Sequence, residues 1–483
     1  MNFKVISRNI GFALLVSALF MLLSVIISII DGDAALAPLL ISFLITFIVG
    51  VFPFIFVRKV PQISLKDGYM IVVLSWILSF VFGMLPYALW GSPFTLANAW
   101  FESVSGFTTT GATILDDIEA LPRSLLFWRS STHFIGGLGV VVFLLLVIPD
   151  SSPVRFRLTN MELSSLSKGG YSTRTNKTVY IFAYVYVGIA VLSFIAYLIA
   201  GMSVFDALCH AFSVSATGGF STRNLSIASF DSPAIEAISM VFMVLSSLHF
   251  GLLYLSVIHR TIKPLNNPVL KFYLVSLVIF SLGIGFSLKF KGVEDSLGSA
   301  LWKGAFQTIS AASTTGFAIT DNLDWPLLPS MLLMFVAFMC GCAGSTTGGV
   351  KVDRILFLFK AIGCRIGKIL HPSSVNEVRV GSRIFKDEDV YPHILYIAMY
   401  CVIIALSVAV SMIIGVDGRN SFVGSVVSLG NVGPAIGELG YMGSYNGVPA
   451  AAKFLYSIDM FLGRVEIYPV LAVVAMIFDT RKR

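Results

Sequence analysis

The chain has 483 residues, of which 56% are hydrophobic and only 12% charged. That leaves too little polar side chain to cover a water-soluble globule of this size, and the net charge of +7 is then a matter of membrane topology, with no nucleic-acid partner implied. Continuous apolar runs of about 20 residues or more exclude a β-barrel, whose strands alternate over about ten residues, and indicate an all-α polytopic membrane protein in a lipid bilayer.

In chain order, long apolar spans are predicted at 10–30, 37–57, 69–90, 127–148, 179–200, 237–258, 272–288, 328–362, 393–414 and 454–478. The first has no small-residue cleavage site and reads as a retained helix. Shorter apolar stretches at 96–107, 205–215, 300–313 and 421–429 cover roughly half of a ~30 Å hydrocarbon core, so they should enter and return. Lys and Arg concentrate at 4–8, 58–66, 155–177, 260–271, 351–386 and 481–483, which places both termini in the cytoplasm. The opposite loops carry Asp31, Asp33, Asp116, Asp117, Glu119, Asp321 and Asp324. These form either a negative vestibule that raises the local cation concentration or ordinary solvated loops. Cys209, Cys340, Cys342, Cys364 and Cys401 show no paired framework and read mostly as small buried residues.

Each re-entrant stretch runs into a related string: SGFTTTGAT at 105–113, SVSATGGFST at 213–222, SAASTTGFAIT at 310–320 and SLGNVGPAI at 428–436. Aligned on Gly111, Gly218, Gly316 and Gly433, they divide the chain into a two-helix hairpin (1–66) and four parallel helix–pore-loop–helix repeats. The repeats are 67–177, 178–266, 267–385, whose second helix is broken, and 386–483. One unit is about 100 residues, enough for two crossings and a loop around a pseudo-fourfold pore. Glycine permits the backbone to point successive carbonyls one way, and Ser and Thr brace it. No charged side chain lies in the loops proper, which favours carbonyl coordination of a weakly hydrated monovalent ion over a carboxylate ring. The predicted filter is Thr110, Gly111 and Ala112, with Thr217, Gly218 and Gly219, Thr315, Gly316 and Phe317, and Val432, Gly433 and Pro434. One glycine per loop implies looser K⁺/Na⁺ discrimination than several stacked carbonyl rings would give.

Four strings make the whole chain resemble the Trk/Ktr/HKT superfamily of K⁺ transporters, most of all its bacterial TrkH/TrkG-type membrane subunits. They are SGFTTTGAT at 105–113, THFIGGLG at 132–139, GCAGSTTGG at 341–349 and LGRVEIYP at 462–469. The N-terminal hairpin favours that type over KtrB. The resemblance implies K⁺ (and Rb⁺) uptake across a bacterial inner membrane, a homodimer with one pore per protomer, and a cytosolic TrkA-like partner that binds nucleotide. No covalently bound cofactor is implied, K⁺ being the transported ion.

Two elements suggest gating. The span 328–362 is too long for one straight helix, and its middle holds Gly344, Ser345, Thr346, Thr347, Gly348 and Gly349. This composition breaks a helix and reads as a flexible loop beneath the filter, the alternative being a kink packed on small residues. In similar proteins this segment acts as an intramembrane gate. Arg464 lies inside the last span, where a charge is costly; it either lines the pore as a positive plug or pairs with Asp459 or Glu466. His133, His210 and His249 read as hydrogen-bonded bundle residues, the alternative being a proton relay. No Gly-x-x-x-x-Gly-Lys string occurs, so nucleotide control must come from a partner. A cation symporter coupled to H⁺ or Na⁺ is the alternative. A membrane-embedded enzyme would need a convergent cluster of ligands or acid/base groups that the sequence lacks.

Overall fold

A computed structural model describes residues 2–57, 64–147, 175–372, 377–381, 383–433, 436–440 and 442–478. Pro434 and most of the basic stretch 155–177 lie outside the described residues.

The N-terminal hairpin is α1 (Phe3–Asp31) and α2 (Leu36–Phe56). Its helices touch where small residues permit it: a Cβ added at Gly11 would stand 2.6 Å from the Gly50 carbonyl oxygen. Asp33 then fastens the hairpin to the rest. Its carboxylate accepts from the Ser28 hydroxyl, from the Ala35 amide at 3.0 Å and from the Ser124 amide at 3.4 Å.

The first repeat is α3 (Leu65–Gly83), a short α4 (Leu85–Trp90), the pore helix α5 (Leu96–Phe107) and α6 (Arg123–Val147). The second is α7 (Thr175–Ile199), pore helix α8 (Val204–Ala216), α9 (Pro233–Ser247) and α10 (Phe250–Ile258). The third is α11 (Pro268–Phe290), pore helix α12 (Leu297–Ala312), α13 (Leu327–Met339) and α14 (Val352–Leu370). The fourth is α15 (Asp387–Ile414), pore helix α16 (Gly418–Gly430), α17 (Ala450–Val465) and α18 (Ile467–Phe478). The pore helices are 12, 13, 16 and 13 residues long, about 18–24 Å at 1.5 Å per residue, and cannot cross. Three start on a side-chain cap, with Thr95, Ser203 and Asp417 accepting from the amides of Asn98, Asp206 and Arg419. The result is an all-α polytopic membrane fold: four parallel helix–pore-loop–helix repeats about a pseudo-fourfold axis, plus the hairpin.

Two predicted spans are not straight. The span read at 237–258 bends by 102° between α9 and α10, and the one at 454–478 bends by 109° between α17 and α18. At the first bend His249 caps α10, its Nδ1 accepting from the Gly251 amide at 3.0 Å. At the second, Glu466 has φ of 63°, a conformation no helix interior contains. Neither site has the Gly-rich composition that betrays the break between α13 and α14. On the side of α14 and α15, Val378–Val380 and Arg383–Phe385 form a two-stranded antiparallel ribbon, Val378 opposite Phe385. Phe385 packs edge-on against Phe357 of α14, with ring centroids 4.9 Å apart.

Candidate functional site

All four pore helices end in the same hydrogen-bonded turn. Thr109, Thr217, Thr314 and Asn431 take left-handed φ values of 53°, 55°, 54° and 50°. The next amide, of Thr110, Gly218, Thr315 and Val432, donates five residues back to the carbonyls of Ser105, Ser213, Ser310 and Val427, at 2.9, 2.9, 3.0 and 3.1 Å. This is a helix stop that normally takes glycine at the left-handed position. Asn tolerates it; a β-branched Thr there is strained, and three such residues at equivalent places mark a backbone held in shape by its surroundings.

Two residues past that point, Gly111, Gly219, Gly316 and Gly433 have φ of 81°, 85°, 79° and 81°. The backbone thus corrects the sequence alignment in the second loop. Gly219, not Gly218, is the counterpart of Gly111, and Thr217 belongs to the helix stop before the triplet. The adjacent glycines made the string ambiguous, and the five-back hydrogen bond fixes its register. The equivalent triplets begin at Thr110, Gly218, Thr315 and Val432 and run through Ala112, Phe220 and Phe317 in the first three loops.

The loops close on one another head to tail. A Cβ at Gly111 would lie 2.0 Å from the Gly218 oxygen, at Gly219 2.0 Å from the Thr315 oxygen, and at Gly433 2.2 Å from the Thr110 oxygen. Equivalent carbonyls therefore rest on the bare α-carbon of a neighbouring loop at three of the four junctions. Asn431 adds a side-chain tie, its Nδ2 donating to Thr110 Oγ1 at 3.0 Å and to the Met460 carbonyl at 2.8 Å.

Behind this ring, residues at one position of three pore helices pin the chain that leaves the loop. Glu102 accepts from Thr113 Oγ1 and the Ile114 amide, both at about 3.0 Å, and pairs with Arg129 at 2.6 Å. Arg129 Nη1 donates to the Ser221 carbonyl at 3.0 Å, and its guanidinium stacks 3.7 Å from the Phe220 ring centroid, so the pair spans two repeats. His210 shares a hydrogen bond with Ser221 Oγ at 2.9 Å, and Gln307 donates to the Thr320 carbonyl at 3.1 Å. His133 stacks on Phe220 at 4.0 Å and backs Gly218. The three histidines are thus bundle residues, as read from the sequence. Glu102 and Arg129 escaped sequence reasoning, although a carboxylate inside the apolar stretch 96–107 was the available signal. Both are almost wholly buried, at 0% and 2% exposure. Glu102→Ala, which strands the guanidinium, should cost about 3–5 kcal/mol. A markedly lower unfolding temperature in detergent is expected; a shift of a degree or two would show that the pair contributes little.

The segment between α13 and α14 is irregular, as predicted, and it meets the turns beneath the ring. Thr346 Oγ1 donates to the carbonyls of Ser215 (3.1 Å) and Ser246 (3.2 Å), and the Gly344 carbonyl accepts from the Phe250 amide at 2.9 Å. The Gly348 amide donates to Thr314 Oγ1 at 3.1 Å, and a Cβ at Gly348 would stand 2.4 Å from the Gly430 oxygen. Ser345 Oγ hydrogen-bonds Thr347 Oγ1, while Gly349 packs on Cys340. Asp353 of α14 holds the entry of the loop, accepting from the Ala343 amide at 2.6 Å.

Arg464 completes the contact of this loop with all four repeats. Gly463 lets α17 lie against the end of α16, where a Cβ would be 2.0 Å from the Leu429 oxygen. From there Arg464 Nη1 donates to the Thr346 carbonyl at 2.7 Å and Nη2 to the Gly136 carbonyl of α6 at 2.9 Å. The two carboxylates near it in sequence are engaged elsewhere: Glu466 with Arg354 at 2.9 Å, and Asp459 with the Ser407 hydroxyl. On the opposite side of the ring, Asp116 accepts from Asn446 Nδ2 at 2.6 Å and Asp117 from Asn224 Nδ2 at 2.9 Å. These two acids tie neighbouring loops together.

Residues 39–482 match the TrkH family, cation transport protein. The chain is 31% identical over 481 residues to the Trk system potassium uptake protein TrkH of Salmonella typhimurium, covering 98% of each. It is 33% identical over 477 residues to the Trk system potassium uptake protein TrkG of Escherichia coli, covering 97% of each. Its fold overlays the crystal structure of the potassium transporter TrkH from Vibrio parahaemolyticus with a TM-score of 0.89, at 30% identity and over the full length of both chains. By sequence and by fold, the chain belongs to the TrkH family of cation transport proteins.

Proposed function

We propose that this protein takes up K⁺, and Rb⁺ with it, through a selectivity filter of main-chain carbonyls at Thr110–Ala112, Gly218–Phe220, Thr315–Phe317 and the loop from Val432 through Gly433 into Pro434. The observation that carries this reading is the head-to-tail packing of equivalent carbonyls on neighbouring glycines. Neutral oxygens repeated around an axis suit an ion that gives up its water readily, and a monovalent one. The potassium uptake named for the relatives points the same way. Inward flow follows a negative interior, worth about 2.3 kcal/mol per charge per 100 mV.

In this reading the segment 344–349 bars the exit from the filter and Arg464 holds it there. The protein sits in the bacterial inner membrane with both termini cytoplasmic, as a homodimer. A cytosolic TrkA-like nucleotide-binding subunit works the gate from that side. The test is ⁸⁶Rb⁺ uptake into proteoliposomes with an inside-negative potential. Uptake should be driven by the potential, inhibited by K⁺ well before Na⁺, and indifferent to a pH gradient. Uptake driven by a pH or Na⁺ gradient without a potential would replace this reading with coupled symport.

A further inference from the structure

The loop between α13 and α14 contains Ser345-Thr346-Thr347-Gly348, the same four residues in the same order as Ser313-Thr314-Thr315-Gly316 of the third pore loop. The likeness extends to geometry. Ser345 Oγ lies 2.8 Å from Thr347 Oγ1, as Ser313 Oγ lies 2.8 Å from Thr315 Oγ1 and Thr108 Oγ1 2.8 Å from Thr110 Oγ1. The two strings also touch, through the Gly348 amide and Thr314 Oγ1 at 3.1 Å. What distinguishes the lower string is that cations of the chain itself occupy its carbonyls. Arg464 Nη1 donates to the Thr346 oxygen at 2.7 Å, and Lys351 Nζ donates to the Thr347 oxygen and, at 3.3 Å, to Thr347 Oγ1.

We propose that Ser345-Thr346-Thr347-Gly348 is a second binding site for a dehydrated alkali cation, held in this conformation by the side-chain cations of Arg464 and Lys351. The proposal rests on the carbonyl-filter reading of the four loops above it. Carbonyl and hydroxyl oxygens that accept an ammonium and a guanidinium are the ligands a K⁺ ion takes in place of water. An ion leaving the third pore loop meets the lower string directly, and binding there competes with Arg464 and Lys351 for the same oxygens. The permeant ion thereby favours the conformation in which both side chains have let go, because a ligand shifts an equilibrium only through the state it binds better. The backbone differs from a pore loop. Left-handed φ falls on Gly344 and Gly349 and not on Thr346.

Equilibrium binding of ⁸⁶Rb⁺ to the purified full-length protein, in a buffer with choline as its only other cation, tests this. The Arg464→Gln/Lys351→Gln double variant should bind one Rb⁺ per chain more than the unaltered protein. Adding Ser345→Ala and Thr347→Val should remove that extra ion and leave the rest. Lys351→Gln alone, which keeps both Arg464 bonds, should tighten the lower site about tenfold and serves if the double variant does not fold. Equal Rb⁺ stoichiometry and affinity in altered and unaltered protein would overturn the second site alone. No Rb⁺ bound by any of them would overturn the filter reading and this site with it.

Discussion

Gly219→Ala is expected to abolish ⁸⁶Rb⁺ uptake, by about a hundredfold or more, in protein that still inserts and purifies as a single species. Two effects act together. Left-handed φ, 85° at this residue, costs an alanine about 1–2 kcal/mol. The larger effect is steric, because the new Cβ would stand 2.0 Å from the Thr315 carbonyl oxygen. That oxygen belongs to backbone tied at the next pore-helix end, so no side chain can swing aside; the ring must open. A hundredfold fall corresponds to about 2.7 kcal/mol, a small fraction of what such an overlap costs if nothing moves. Gly218→Ala is the control for register. There the nearest atoms are those of the His133 ring, at 2.3 Å to Nδ1, a side chain whose truncation makes room. His133→Ala should therefore restore part of the uptake lost in Gly218→Ala and none of that lost in Gly219→Ala. Uptake by Gly219→Ala within twofold of the unaltered protein would remove the packed ring from the mechanism.

The contrast between those two glycines shows where the sequence was readable. Repetition carried the architecture: four apolar half-helices, each run into a Gly/Thr string, prescribe four re-entrant loops. Register did not follow, because Thr217-Gly218-Gly219 satisfies the pattern in two ways and only a hydrogen bond to Ser213 chooses. The break between α13 and α14 was legible because four glycines within nine residues cannot stay helical. The bends at His249 and Glu466 were not, since Leu248-His249 and Val465-Glu466 are ordinary in composition and bend for tertiary reasons, Glu466 being drawn to Arg354. Pairs distant in sequence stayed hidden for the same reason. Nothing in residues 96–107 announces that Glu102 will find Arg129, or that Arg129 will reach the Ser221 carbonyl of the next repeat.

Arg464→Ala should raise ⁸⁶Rb⁺ uptake about tenfold at equal protein in the membrane. Arg464 ties the Thr346 carbonyl to that of Gly136, with donor distances of 2.7 and 2.9 Å. A hydrogen bond from a charged donor contributes about 1.5–3 kcal/mol, so losing two destabilises the closed loop by more than the 1.4 kcal/mol that a tenfold shift requires. The rise stops at about tenfold because Thr346 keeps its hydroxyl bonds to Ser215 and Ser246, and the loop remains tethered from that side. Removing the charge acts in the same direction, since a cation beneath the proposed filter would repel the ion that follows. Two further variants separate these effects. Arg464→Lys keeps the charge and, with one nitrogen in place of two, cannot bridge both carbonyls in the same geometry; it should fall between the alanine variant and the unaltered protein. Thr346→Val keeps Arg464 and its carbonyl partner while removing both hydroxyl bonds, and should raise uptake by less than Arg464→Ala. If Arg464→Ala instead lowered uptake, the bond to Gly136 would be read as bracing α6, whose His133 backs the second loop, and the restraint on flow would have to be sought in Lys351 and the segment 344–349 alone.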